Sequence, residues 1–159
     1  MIQQHILLPG LTWMKVGGIA DFYAEVKMRE ELLEAFQFAR ERSLPIVYLG
    51  QGSNLIFPDE GIRGLVIRLM NDTFTCHSER PASGGEVEES LGGAHESALV
   101  TVEGGKILSR LIHECRKKSL NGLDNFVGIP GVVGAAVRGN IGIPAQEFGE
   151  LVRQVEIFD

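Results

Sequence analysis

The placement of glycine constrains this chain more than any other feature. Twenty of its 159 residues are glycine, about twice the usual share of ~7%. They are not spread as in a flexible linker. They gather where apolar segments end: Gly50-Gln51-Gly52 follows Ile46-Val47-Tyr48-Leu49, and a longer run extends from Gly128 to Gly142. Glycine adopts left-handed backbone without strain and lets another group approach the main chain closely. The chain must therefore build two tight loops against packed elements, against a ligand, or against both.

Periodicity supplies the elements around those loops. Asp21 to Val26 reads as a strand with Phe22, Ala24 and Val26 on one face. Arg29 to Arg42 reads as a helix, its apolar stripe being Leu32, Leu33, Phe36 and Ala39, and Pro45 marks the exit. Ile46-Val47-Tyr48-Leu49 and Leu65-Val66-Ile67-Arg68-Leu69 are nearly continuous apolar strands, the pattern expected when both faces are covered. A further strand runs from Leu99 to Glu103. A helix then extends to about Lys118, with Ile107, Leu108, Leu111, Ile112 and Cys115 on one stripe. Asn71 to Ser97 is polar, acidic and without periodicity, which predicts an exposed loop. Val152 to Phe158 is expected to form a strand whose unpaired edge would invite self-association. The organisation expected is a first lobe over 1–70, a polar loop over 71–97 and an incomplete second lobe over 98–159.

Composition excludes several classes. Hydrophobic residues make up 44% and the net charge is −6, a balance suited to a folded domain and unsuited to a nucleic-acid surface. No apolar run approaches the ~18 residues of a membrane span. The opening Met-Ile-Gln-Gln-His carries no secretory pattern. Cys76 and Cys115 have neither metal-ligand spacing nor a disulfide framework, so the expected compartment is the cytoplasm and no metal is expected.

Loop one is Gly50-Gln51-Gly52-Ser53-Asn54-Leu55. With φ > 0 available at its glycines, successive N–H groups can point into one concavity and bind a phosphate through neutral dipoles. Ser53 and Asn54 add polar side chains. An ordinary tight turn fits the same residues. Leu55 stands where a Rossmann fingerprint needs its third glycine, and no Gly-Lys-Ser/Thr occurs, so the nicotinamide and P-loop motifs are absent. Loop two is Val127 to Gly142, containing Ile129-Pro130-Gly131-Val132-Val133-Gly134-Ala135-Ala136. Pro130 suits the first turn of a short helix whose Gly/Ala face has little bulk and whose N-terminus would offer N–H groups to an anion. Close helix packing explains those residues equally well.

Four segments, taken together and in order, resemble the FAD-binding part of the UDP-N-acetylenolpyruvoylglucosamine reductase (UDP-N-acetylmuramate dehydrogenase) family. They are Lys15-Val16-Gly17-Gly18-Ile19-Ala20-Asp21, Leu49 to Leu55, Gly64 to Leu69, and Gly128 to Gly142. The resemblance implies an α+β fold of two small α/β lobes, of the PCMH or vanillyl-alcohol-oxidase type. It implies FAD as cofactor, NADPH as hydride donor and a nucleotide-sugar substrate whose reduced product feeds peptidoglycan synthesis. It further implies cofactor contacts from Gly50, Gln51, Gly52, Ser53, Asn54 and Leu55, and from Ile129, Pro130, Gly131, Val133, Gly134, Ala135, Asn140 and Gly142.

The departures matter as much. Gly142-Ile143-Pro144-Ala145 stands where the family has Gly-Ala-Tyr-Gly or Gly-Ala-Phe-Gly, and 71–97 is longer than a short hairpin. The family's Arg-x-x-Tyr-Arg-x-Ser stretch, proton donor and catalytic Glu have no counterpart here, so no catalytic residue is carried over and the isolated chain is expected to be inactive. The alternative reading is a stand-alone, non-catalytic flavin-binding module that acts with a partner chain. A flavoprotein oxidase that tethers its flavin through histidine fits less well, because His5, His77, His95 and His113 all lie outside the glycine motifs.

Overall fold

The computed structural model describes residues 2–78 and 98–157. The first strand, β1 (Ile2–Leu7), pairs antiparallel with β2 (Ile19–Val26), and a 3-10 turn at Leu8–Leu11 links them. Helix α1 (Arg29–Glu41) follows. Glu31 starts it by accepting the N–H groups of Lys27 and Met28 at 2.7 and 3.2 Å, satisfying donors that a helix start leaves open. Those two backbone bonds, Lys27 first, hold the Glu31 carboxyl below its ordinary range. Strands β3 (Ile46–Leu49) and β4 (Ile62–Leu69) complete a sheet of order β1-β2-β4-β3, in which β4 is parallel to both neighbours.

Both faces of β4 are covered, which explains its apolar run. Leu65 and Ile67 meet Leu32, Ala35 and Ala39 of α1 together with Ala24 and Val26. Val66 lies on the opposite face with Leu8, Tyr23, Leu49 and Phe57. Leu65, Val66 and Ile67 are fully buried, and each such side chain contributes roughly 1.5–3 kcal/mol.

The second unit has its own core. Strand β5 (Phe74–Ser78) pairs antiparallel with β6 (Ala98–Val102). Helix α2 (Leu108–Lys117) buries Leu108, Leu111, Ile112 and Cys115, the stripe read from its spacing. These pack with Phe126, Phe148, and the residues Val133 and Ala136 of helix α3 (Val133–Gly139). A two-residue ladder, β7 (Gly142–Ile143) with β8 (Gln146–Glu147), closes the region. The result is an α+β arrangement of two small units, the fold class expected.

The connection between the units is stitched. The Met70 N–H donates to the Val26 carbonyl at 2.7 Å and that of Glu103 to Thr73 at 3.1 Å. Between them Asn71 accepts the Gly105 N–H at 2.8 Å and donates to Glu103 at 2.6 Å.

Three expectations are corrected. Phe74–Ser78 is a strand and not part of an irregular loop; its five residues are too few for periodicity to show, and its partner β6 lies beyond 79–97, which falls outside the described residues. Residues 152–157 form no strand, and Val155 and Ile157 are 50% and 78% exposed. The alternation was genuine but found no partner strand among the described residues, so the sheet edge expected there is not formed; Phe158 and Asp159 fall outside them. Helix α3 begins at Val133 and not at Pro130. Gly131 (φ +138°) and an extended Val132, bridged to Ile107, intervene.

Candidate cofactor site

Loop one leaves β3 at its carboxyl end, beside the carboxyl end of parallel β4. Open sheets place their ligands at such ends. Gly52 takes φ +67°; a Cβ there would collide with the Leu11 carbonyl and sit 2.9 Å from the Thr12 Cα. The Gly52 carbonyl accepts the Trp13 N–H at 3.0 Å. The loop is thus laid directly on the segment after the 3-10 turn. Its carbonyl at Gly52 is engaged, whereas the N–H groups of Gln51, Gly52, Ser53 and Asn54 donate to no protein group among the described residues. Thr12, only 6% exposed beneath this loop, has a hydroxyl with no hydrogen-bond partner there.

Loop two is built the opposite way. The N–H of Ile129 donates to Phe126 at 3.2 Å, that of Val133 to Lys106 at 2.8 Å, and that of Gly134 to Gly104 at 2.8 Å. The Gly131 N–H donates to Oε1 of Gln51 at 2.9 Å. The free helix-end donors expected at the start of α3 are therefore occupied at these positions. Gly134 crosses Gly104 closely; a Cβ on Gly134 would lie 3.0 Å from the Gly104 carbonyl oxygen. The small face is also partly covered by loop one, since a Cβ on Gly50 would stand 2.9 Å from Val132 Cγ2 and 3.6 Å from the Ala135 Cβ.

Where the loops meet, a shallow cleft of about 100 Å³ is lined by Gly50, Gln51, Arg68, Asp72, Arg110 and Val132, among others. Arg68 stands at the end of β4, near the Tyr23 hydroxyl, which donates to Glu25 at 2.9 Å. Burial, then the Glu25 carboxylate, push the Tyr23 hydroxyl up to about 12, so it stays protonated near neutrality. No ion pair among the described residues involves Arg68. Arg110 and Lys106 converge on Asp72 at 3.2 and 3.1 Å, and Lys106 also meets Glu114 at 2.7 Å. Lys106 is 3% exposed. Burial alone would lower its pKa, but hydrogen bonds and charge from Glu114 and Asp72 prevail and raise it. This ammonium anchors the β6–α2 junction, whose carbonyls receive loop two.

Of the residues named from sequence, Gly50 and Gln51 line the cleft, Ala135 and Gly131 lie against them without lining it, and Gly52, Ser53, Asn54 and Leu55 continue along loop one. Val133 is buried in the second core. Ile129 packs beside that core, and Pro130 does not line the cleft. Asn140 caps α3 in left-handed backbone (φ +42°); it accepts the Gly149 N–H at 2.8 Å and donates to Glu147 at 2.6 Å. Neither it nor Gly142 lines the cleft. Sequence reasoning missed Arg68, Asp72, Lys106 and Arg110. Arg68 reads there as a strand residue, and the other three are joined only by folding.

Open N–H donors, a glycine with no room for Cβ and a nearby guanidinium suit an anion on a close-lying molecule. An α+β fold with such a loop at the carboxyl ends of parallel strands is the class of a nucleotide-cofactor-binding domain. Residues 20–159 match the model of the FAD binding domain family. The chain is 37% identical over 148 residues to a UDP-N-acetylenolpyruvoylglucosamine reductase of Solibacter usitatus (strain Ellin6076), an alignment covering 93% of this chain and 41% of that protein. It is 35% identical over 159 residues to one of Rhodopirellula baltica (strain DSM 10527 / NCIMB 13988 / SH1), covering 100% and 47%. The crystal structure of UDP-N-acetylenolpyruvylglucosamine reductase from Thermus caldophilus superposes with a TM-score of 0.65 at 29% identity, over 92% of this chain and 46% of that one. This protein belongs to the FAD binding domain family, and it matches the FAD-binding part of these reductases. It spans less than half the length of the relatives cited.

Proposed function

We propose that this chain is the FAD-holding part of an NADPH-dependent reductase that converts UDP-N-acetylglucosamine enolpyruvate to UDP-N-acetylmuramate for peptidoglycan synthesis in the cytoplasm. The observation that carries the reading is loop one. Its N–H groups at Gln51 to Asn54 donate to no protein group among the described residues, whereas those of Ile129, Gly131, Val133 and Gly134 in loop two are all engaged. A cluster of backbone donors at the carboxyl ends of parallel strands suits a diphosphate and tolerates a net negative protein. In the reaction, FAD supplies the hydride relay between NADPH and the enolpyruvyl double bond. What this chain does is bind and orient. Loop one would hold the diphosphate, with Arg68 at the cleft as a further polar contact. No described helix is long and apolar enough to cross a membrane, and the net charge of −6 disfavours nucleic acid as a partner.

Titration of the purified chain with FAD, followed by flavin fluorescence, tests the reading. Saturable binding is expected, with competition by ADP, which carries the diphosphate without the flavin ring. Failure to bind or to be reconstituted would sink it. NADPH consumption that depends on the enolpyruvyl substrate is not expected of this chain alone; seeing it would overturn the division between cofactor-holding and catalytic parts.

A further inference from the structure

We infer that Gln51 is a positioning residue that locks loop one onto loop two through its side-chain oxygen. The effect on cofactor binding rests on the reading above; the lock itself does not.

The geometry is two-pronged. The Gln51 Oε1 accepts the Gly131 N–H at 2.9 Å across 80 positions of sequence, in a partly buried setting. Gly131 can aim that N–H because it takes φ +138°, a backbone that side chains rarely adopt. Its carbonyl is held at the same time by the Leu108 N–H at 3.0 Å, so the peptide after Gly131 is fixed to the start of α2 and the one before it to Gln51. Beside the polar prong is an apolar one, where Gly50 lies against Val132 and Ala135 with no room for a Cβ.

The next residue of loop one is fixed from the other side, through the Gly52 carbonyl and the Trp13 N–H at 3.0 Å. Two consecutive residues are thus tied to different parts of the molecule. The donors of Gly52, Ser53 and Asn54 consequently keep their direction before any ligand arrives, which lowers the ordering cost of binding. The Gln51 side-chain oxygen is committed to Gly131, and through that bond the residue sets the direction of loop one.

The test uses the ¹⁵N-labelled chain and two substitutions. Gln51→Leu removes the acceptor at similar length, and Gln51→Glu keeps an acceptor oxygen. In the flavin-free protein, the Gly131 amide should exchange with solvent slowly in the wild type and in Gln51→Glu, and about tenfold faster in Gln51→Leu. With Gln51→Leu, FAD affinity should fall about fivefold while riboflavin, which lacks the diphosphate, binds as before. Equal Gly131 exchange in wild type and Gln51→Leu would overturn the lock. Equal loss of FAD and riboflavin would overturn its action through the phosphate loop. If Gln51→Leu does not fold, the wild type still decides: an unprotected Gly131 amide refutes the bond, and a protected one retained in Gln51→Glu supports it. A wild type that binds no flavin defeats the cofactor reading, while the exchange experiment continues to judge the lock.

Discussion

Loop one and loop two use the same residue type for opposite ends. In loop one, glycine lets the main chain lie on Leu11 and Thr12, leaving the N–H groups of Gln51 to Asn54 open. In loop two, glycine and alanine let main chains touch, and the N–H groups of Ile129, Gly131, Val133 and Gly134 are all taken up by the protein. Glycine content alone therefore does not mark a phosphate site. What separates the two loops is where the neighbouring donors go: those of loop one are open and those of loop two are paired within the protein.

The largest way to break this contrast is Gly52→Ala. Left-handed backbone and a collision with the Leu11 carbonyl act together, for an expected loss of roughly 3–5 kcal/mol in urea unfolding. Gly131→Ala should cost less, about 1–3 kcal/mol, because its φ of +138° is strained for alanine but a Cβ there meets nothing within 4 Å. A smaller loss at Gly52 than at Gly131 would show that loop one does not rest on Thr12 as described.

Loop two's anchorage is sharpened at Lys106. Lys106→Met removes a cation shared by Asp72 and Glu114 and should cost roughly 2–3 kcal/mol, below the value for a fully buried pair because both carboxylates are partly exposed. Since folding raises this pKa above 10.5, the charge-linked stability is complete below that pH and fades as pH rises through the higher folded value. Unfolding curves for wild type and variant should therefore converge only in strong alkali. Convergence near neutrality would contradict the pairing.

Contact between the loops is probed by Gly50→Ala, whose new methyl would press on Val132 Cγ2. About 1–2 kcal/mol should be lost and partly regained in the double variant with Val132→Ala, giving a non-additive cycle. Additive effects would separate the loops. The smallest effect lies away from both, at Glu31. Folding lowers its carboxyl pKa below 4.5, so its contribution is present above that pH and disappears as pH falls through the folded value. Wild type and Glu31→Gln should differ slightly at neutral pH and merge in acid; a constant difference would remove the capping role.

Much of the fold was legible because its signals are local. Ile46–Leu49 is the strand expected, and α1 ends one residue from the expected Arg42. The buried stripe of α2 is that of its 3.6-residue spacing. Elements defined by distant partners were not legible. β1 has only Ile2 and Ile6 partly buried, and β5 pairs with a strand beyond residue 97. Pro130 misled because a proline commonly opens a helix, yet the bridge between Ile107 and Val132 keeps the following residues extended. At the site, loop one could be read from its own residues, whereas the Gln51–Gly131 bond and the meeting of Arg110 with Asp72 exist only once the chain is folded.

The stitches around Asn71 bear on how a cofactor arrives. A connection fastened to Val26 on one side and to Glu103 and Gly105 on the other disfavours hinging at Asn71, so a ligand would meet the cleft as a slot and not as a jaw. A ligand would enter along loop one by diffusion, and its capture would follow a single concentration-dependent rate with no slower closing phase.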